Sequence, residues 1–232
     1  MDSPNLKAWL KSHLPGLRGA LRYKSLLLRG RHIDAYLTDA AAPSLNLGCG
    51  LNVLPDWMNT DLFPELSSII ALDATRPFPF PDASFTFVFS EHMIEHVPFA
   101  DARRMLAEIR RVMQPGGVVR IATPDLARVV ALYEDTPETI AYRHWSRALH
   151  SRPGPGGDRC HVINSLFYGH GHRFLYDNET LSALLVEAGF HSPVRHVPGE
   201  SLRPELRNIE HHGKVIGEAN NRMETLVIEA IA

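Results

Sequence analysis

The run Phe85-Thr86-Phe87-Val88-Phe89-Ser90 is apolar at nearly every position rather than at alternate ones. A strand with one wet face alternates, whereas a run this continuous must be covered on both faces, as central strands of parallel sheets are. Four other stretches read as strands of the same sheet: residues 44–52 (SLNLGCGLN, running into a glycine turn), 57–62, 69–73 and 118–122. Between the fourth and fifth, Met105, Leu106, Ile109, Val112 and Met113 share one helical face, which predicts a helix over 101–114 stopped by Pro115-Gly116-Gly117. A second helix is predicted over 177–190, with Asp177 as its cap, Leu181, Leu184, Leu185 and Ala188 as its buried stripe and Gly189 at its end. Strands alternating with helices predict an α/β, doubly wound, mostly parallel sheet.

With 232 residues, 44% of them hydrophobic and 22% charged, the chain has the size and balance of one such domain with embellishments. A net charge of −2 argues against nucleic acid as a partner. The two cysteines, Cys49 and Cys160, are far apart, so no disulfide framework is expected and a reducing, cytoplasmic compartment fits. No apolar run has signal-peptide or membrane-spanning length. Residues 1–43 read as a helical extension: Leu6, Trp9, Leu10 and Leu14 recur at helical spacing over 4–14, Pro15-Gly16 interrupts, and a second helix is expected over 17–29. Within the first 31 residues Lys7, Lys11, Arg18, Arg22, Lys24, Arg29 and Arg31 stand against a single acid, Asp2. Weak contact with an anionic membrane surface and a packing helix with solvated charges both fit it. Nothing in the sequence sets an oligomeric state.

Candidate chemistry gathers where strands end. Gly48 and Gly50 let backbone approach a ligand closely, and the third glycine of a dinucleotide fingerprint is missing. Asp61 and Asp73 close the second and third strands, where open α/β sheets bind ligands; each could equally be a turn former or a helix cap. Directly after the fourth strand stands His92-x-x-Glu95-His96, spelled like the zinc site of one peptidase class. Pro98 follows too soon for the sustained helix that such a site needs, so this string is expected first to wall a pocket with a base role open to it, a metal site being the second reading and a peptidase the last, and no metal ligands are assigned. Residues 126–175 hold a helical stretch, LARVVALYED, then a breaker-rich run with Cys160, His161, His170 and His172. The C-H-x8-H-x-H spacing matches no familiar zinc site; an acceptor pocket closed by a mobile loop over 151–172 and a packed loop both fit.

Taken in order, LNLGCG, the acid in NTDL, ALDATRPFPFPDASF, FSEHMIEHV, AEIRRVMQPGGVVRIATPD, GHGHRFLYDNETLSALLVEAGF and TLVIEA resemble class I S-adenosylmethionine-dependent methyltransferases of the type 11 group, across residues 44–232. That resemblance implies a seven-stranded, Rossmann-like sheet and S-adenosylmethionine as cofactor. It implies a cofactor site drawn from Asn46, Gly48, Cys49, Gly50, Asp61, Leu62, Asp73, Ala74, Ser90 and Glu91. Within that set Asp61 would take the ribose hydroxyls, Asp73 the adenine amino group, and the Ser90 carbonyl the methionine ammonium. Asn46 stands where the group often has an acid, and Thr86 replaces the usual Asp of PFPDGSFD. Only eleven positions separate Gly50 from Asp61, so the first helix of the fold must be very short or replaced by a turn.

The reaction expected is methyl transfer to an oxygen or nitrogen of a small-molecule or saccharide-type acceptor, with His92 and His170 as candidate bases. Two rivals are a cofactor-binding protein without turnover and a nicotinamide-dependent oxidoreductase.

Overall fold

The computed structural model describes residues 15–150 and 158–232. Seven strands form one sheet: β1 (Ser44–Leu47), β2 (Met58–Asp61), β3 (Ile70–Ala71), β4 (Phe85–Glu91), β5 (Met113–Pro124), β6 (His191–His196) and β7 (Thr225–Ile231). Their order is β3-β2-β1-β4-β5-β7-β6, parallel from β3 to β5, with β7 antiparallel to both its neighbours. The apolar run behaves as its pattern requires, since Phe85, Val88 and Phe89 are fully buried in β4 at the middle of the sheet.

Helix α1 (Pro15–Asp39) lies against edge strand β3, and α2 (Phe99–Val112) joins β4 to β5. The predicted stripe of α2 is its buried one: Met105, Leu106, Ile109 and Val112 are each inaccessible and sit in the main core with Leu45, Leu47 and Val88. Side chains of this kind each contribute about 1.5–3 kcal/mol when fully buried. Four further helices are α3 (Leu126–Ala131), α4 (Pro137–His150), α5 (Asp158–Asn164) and α6 (Asn178–Glu187). Asp177 caps α6 by accepting the Thr180 N–H at 2.8 Å, and Gly189 beyond its end has φ +94°, as that sequence predicts. Short helices α7 (His212–Ile216) and α8 (Glu218–Glu224) lead into β7.

Several sequence expectations need correction. α2 stops at Val112, and Pro115-Gly116-Gly117 lies inside β5 instead of ending the helix. These glycines serve close strand approach: Gly116 N–H donates to the Ala232 carbonyl, and a Cβ on Gly117 would sit 2.6 Å from the Thr86 carbonyl oxygen. α1 runs ten residues beyond the predicted 29 because Ile33 is buried in the core and Tyr36 and Leu37 pack on it. The helix expected over 4–14 lies outside the described residues. The breaker-rich run after 150 is largely helical where described, with α5 followed by a π-helical turn, Ser165–Gly169. Val129, Leu132, Tyr142, Val162, Leu166 and Leu175 give that region a small core of its own.

The short β1–β2 connection forms a turn, as its length requires. Asn59 stands in for the missing helix: its amide oxygen accepts from Leu54 N–H, and its nitrogen donates to the Leu54 and Trp57 carbonyls, each at 2.9 Å. Asn46 donates to the same Asn59 oxygen at 2.9 Å, fixing the turn to β1.

One buried charge was not foreseen. Arg120 in β5 is wholly inaccessible, yet its guanidinium meets Glu229 directly opposite on β7 and Glu210 from the β6–β7 connection. Removing the cation alone strands two nearly buried carboxylates. Arg120→Met is therefore expected to cost about 3–5 kcal/mol in a urea melt, and a loss under 1 kcal/mol would show that the cluster contributes little.

Candidate active site

The turn after β1 is shaped to receive a ligand. Gly48 and Gly50 both have positive φ, +71° and +51°, and a Cβ on Gly48 would lie 2.4 Å from the Met93 side chain. A Cβ on Gly50 would meet nothing within 4 Å, so that backbone faces open space. Asp61 at the end of β2 accepts from Gly50 N–H at 3.0 Å and Phe63 N–H at 2.8 Å, one on each oxygen. An ionised carboxylate offers about four acceptor sites, so a lone pair on each oxygen remains for a diol. Asp73 spends one oxygen on Thr75, accepting from its N–H at 3.0 Å and its hydroxyl at 2.6 Å, and keeps the other. The Thr75 hydroxyl is the main reason that its carboxyl titrates below the ordinary range. A cavity of about 270 Å³ opens at Asp73, and α1 closes its far side with Arg22, Leu26 and Arg29. Leu62 is exposed in the β2–β3 connection and Ala74 packs on the core, while the Ser90 hydroxyl is buried without a hydrogen-bond partner.

Two residues of the expected set hold the protein together instead of facing a ligand with free groups. Asn46 is 1% exposed, and its side-chain nitrogen is committed to Asn59 and to the Asn52 carbonyl at 2.8 Å. Glu91 accepts from the backbone N–H groups of His211 and His212, each at 2.9 Å, and from the Asn52 amide at 3.2 Å. It thereby fastens the glycine turn to the β6–β7 connection.

Beyond Glu91 an imidazole and carboxylate wall begins. His92 has φ +46°, a strained conformation for this residue type, and its ring lies 3.9 Å from that of His212 by centroids. His92 Nδ1 meets Glu95 Oε1 at 3.2 Å, and Glu95 Oε2 accepts from the Thr123 hydroxyl at 3.0 Å. Burial disfavours the His92 imidazolium, but the hydrogen bond and charge of Glu95, helped by Glu224 and Glu91, outweigh it and raise its pKa. His212 Nε2 meets Glu224 Oε1 at 2.6 Å, and the Tyr142 hydroxyl donates to the other Glu224 oxygen.

His96 turns elsewhere. It ends a single 3-10 turn, Ile94–His96, and its ring meets His172 at 4.9 Å. The two histidines of the H-x-x-E-H string thus face different partners and do not share a helix face, which removes the peptidase geometry. His172 Nδ1 contacts the Leu166 carbonyl at 2.5 Å, and burial lowers its pKa. His170 is exposed, its ring 5.6 Å from that of His172.

Residues 52–121 match the family described as a methyltransferase domain. No curated protein matches the chain. Among solved structures, an S-adenosylmethionine-dependent methyltransferase from Archaeoglobus fulgidus shares 17% identity, covering 91% of this chain and 94% of its own, with a TM-score of 0.50. Another from Mesorhizobium loti shares 16% identity, covering 88% and 100%, with a TM-score of 0.48.

The cradle fits S-adenosylmethionine, the cofactor that the sequence resemblance implies: it has a glycine turn open to backbone approach, a diol-ready Asp61 and a half-free Asp73. The antiparallel β7 between β5 and β6 also departs from the 3-2-1-4-5-6 order of dinucleotide oxidoreductases. Sequence reading places Tyr142 beside the acceptor loop and residues 199–214 on the rim of its pocket, but it misses Glu224, which joins Tyr142 and His212, because no local spacing links these groups to His92.

Cys49, within the glycine turn, is buried, and burial followed by the Asp61 charge pushes its thiol up to about 12. At pH 8 roughly one such thiol in ten thousand is ionised. Exposed Cys160 should therefore react alone with an alkylating reagent in the native protein, Cys49 following only on unfolding. Two equivalents consumed at equal rates would contradict this.

Proposed function

We propose that this chain is a methyltransferase, which transfers a methyl group to an oxygen or nitrogen of a small or saccharide-type molecule held against the His92–His212 wall. The observation that carries the reading is the junction at Glu91, whose carboxylate binds Asn52 of the cofactor turn and the backbone of His211 and His212 at once. A ligand seated on the turn would thus end where the polar wall starts. Held there by the glycine turn, Asp61 and Asp73, S-adenosylmethionine would supply a methyl group activated by its sulfonium, with sulfur keeping the electron pair of the bond given up.

The protein's own share is orientation and exclusion of water. Gly48 and Gly50 present backbone, Asp61 accepts the ribose hydroxyls, and the free Asp73 oxygen accepts from the adenine amino group. The wall is where an acceptor hydroxyl or amine loses its proton. Its imidazoles and carboxylates suit a hydroxyl-rich acceptor, because both accept hydrogen bonds. Incubation with methyl-labelled cofactor and fractionated bacterial metabolites tests the reading, with a labelled ether or amine as the expected product.

Asp61→Ala should weaken S-adenosylmethionine binding by about 1.5–3 kcal/mol in a calorimetric titration, the scale of hydrogen bonds to a charged group. It should also loosen the turn, since Gly50 and Phe63 lose their acceptor. Unchanged affinity would remove Asp61 from the cofactor site.

A further inference from the structure

We infer that His92, His212 and Glu224 form a binding site for one divalent transition-metal ion, set into the acceptor wall of the proposed methyltransferase site. One ligand atom from each lies within 4.8 Å of the other two. A tetrahedral ion with bonds of about 2.0–2.2 Å places its ligand atoms about 3.3–3.6 Å apart, so only small side-chain movements separate this arrangement from coordination.

Each ligand is already aimed by a second partner. Glu95 holds Nδ1 of His92, which leaves Nε2 facing away; its nearest recorded partner is the Thr225 hydroxyl at 3.5 Å, the limit of a hydrogen bond. Glu95 is in turn held by Thr123, which makes the carboxylate–histidine pair that commonly orients metal-bound imidazole. Tyr142 fixes one oxygen of Glu224 and leaves the other toward His212, whose own backbone is anchored on Glu91.

Charge points the same way. Glu95 and Glu224 are buried, with side chains 0% and 8% exposed. Among the described residues their ion pairs are with imidazoles alone, with no lysine or arginine. A cation would offset that buried negative charge, and the strained φ of His92 is the kind of feature retained at ligand-binding positions. Two imidazoles and one carboxylate favour zinc, cobalt, nickel, manganese or ferrous iron over magnesium or calcium, which prefer oxygen throughout.

With three protein ligands a coordination position stays open for an acceptor oxygen, which would bind as the anion with its proton released to solvent. His92 then acts as a ligand and not as the free base that its sequence position suggested. This departs from the expectation that the H-x-x-E-H string holds no metal, because two of the three ligands lie far outside the string. The other group able to hold an ion, Glu95 with His96 and His172, serves as the internal control.

The full chain, stripped with chelator, is titrated with zinc and with cobalt in the absence of acceptor, and cobalt is followed by its visible absorption. One equivalent should bind with micromolar affinity or tighter. His212→Ala and Glu224→Gln should each weaken it at least tenfold, Glu95→Gln should weaken it by about 10–100-fold, and His172→Ala should leave it unchanged. Circular dichroism and S-adenosylmethionine titration on each variant separate a lost site from a lost fold. No stoichiometric binding by folded, cofactor-binding protein would overturn the site, as would binding lost in His172→Ala but kept in His212→Ala. Failure of cofactor binding in the wild-type chain would count against the proposed function and leave the metal result standing.

Discussion

The carboxylate of Glu91 is the joint on which the site depends. It stands where β4 leaves the sheet, and it satisfies two backbone N–H groups of the β6–β7 connection and the amide of Asn52. Parallel strands bring only their own carboxyl ends to one edge; they do not by themselves bring residues 211–224 there. That step needs a group that reaches from the centre of the sheet to a segment about 120 residues later. An acid in this position loses hydration on becoming partly buried, and three donors compensate it. The His92–His212 contact follows from this placement.

Electrostatics divides the sheet's far half into two regions of opposite logic. On β5 and β7 a guanidinium, whose charge is permanent, is enclosed by Glu210 and Glu229, and Glu229 also meets His196. At the edge where β4 and β5 end and β7 begins, Glu95 and Glu224 have ion pairs only with imidazoles among the described residues. The first arrangement resists change, while the second is poised for protons and cations.

Much of the scaffold could be read from local pattern because local pattern is what builds it. Continuous apolar runs named the strands, the stripe of Met105, Leu106 and Ile109 named a helix, and Asp177 marked the start of another. The glycine turn and the two strand-end acids were legible for the same reason, since turn geometry and strand ends leave local signatures. What escaped depends on pairs distant in sequence. Gly116 and Gly117 looked like a helix stop because their partners, Thr86 and Ala232, are invisible to a local window. Arg120 looked like an ordinary charge until β7 placed Glu229 opposite. The partners of His92 were hidden in the same way, and Asn59 gave no sign of replacing a helix's hydrogen bonds.

The N-terminal helix does more than precede the sheet. β3 is only two residues long and lies at the sheet's edge, where unpaired backbone groups invite another strand. The hydroxyl of Ser25 takes the Ala71 N–H at 2.7 Å, so α1 occupies the place that a neighbouring chain would otherwise seek. A protein trimmed to begin at β1 would keep every glycine and acid of the cradle, yet it would present an open hydrogen-bonding margin and lose one side of the cavity at Asp73. Its failure would look like poor solubility, though its cause would be a missing serine.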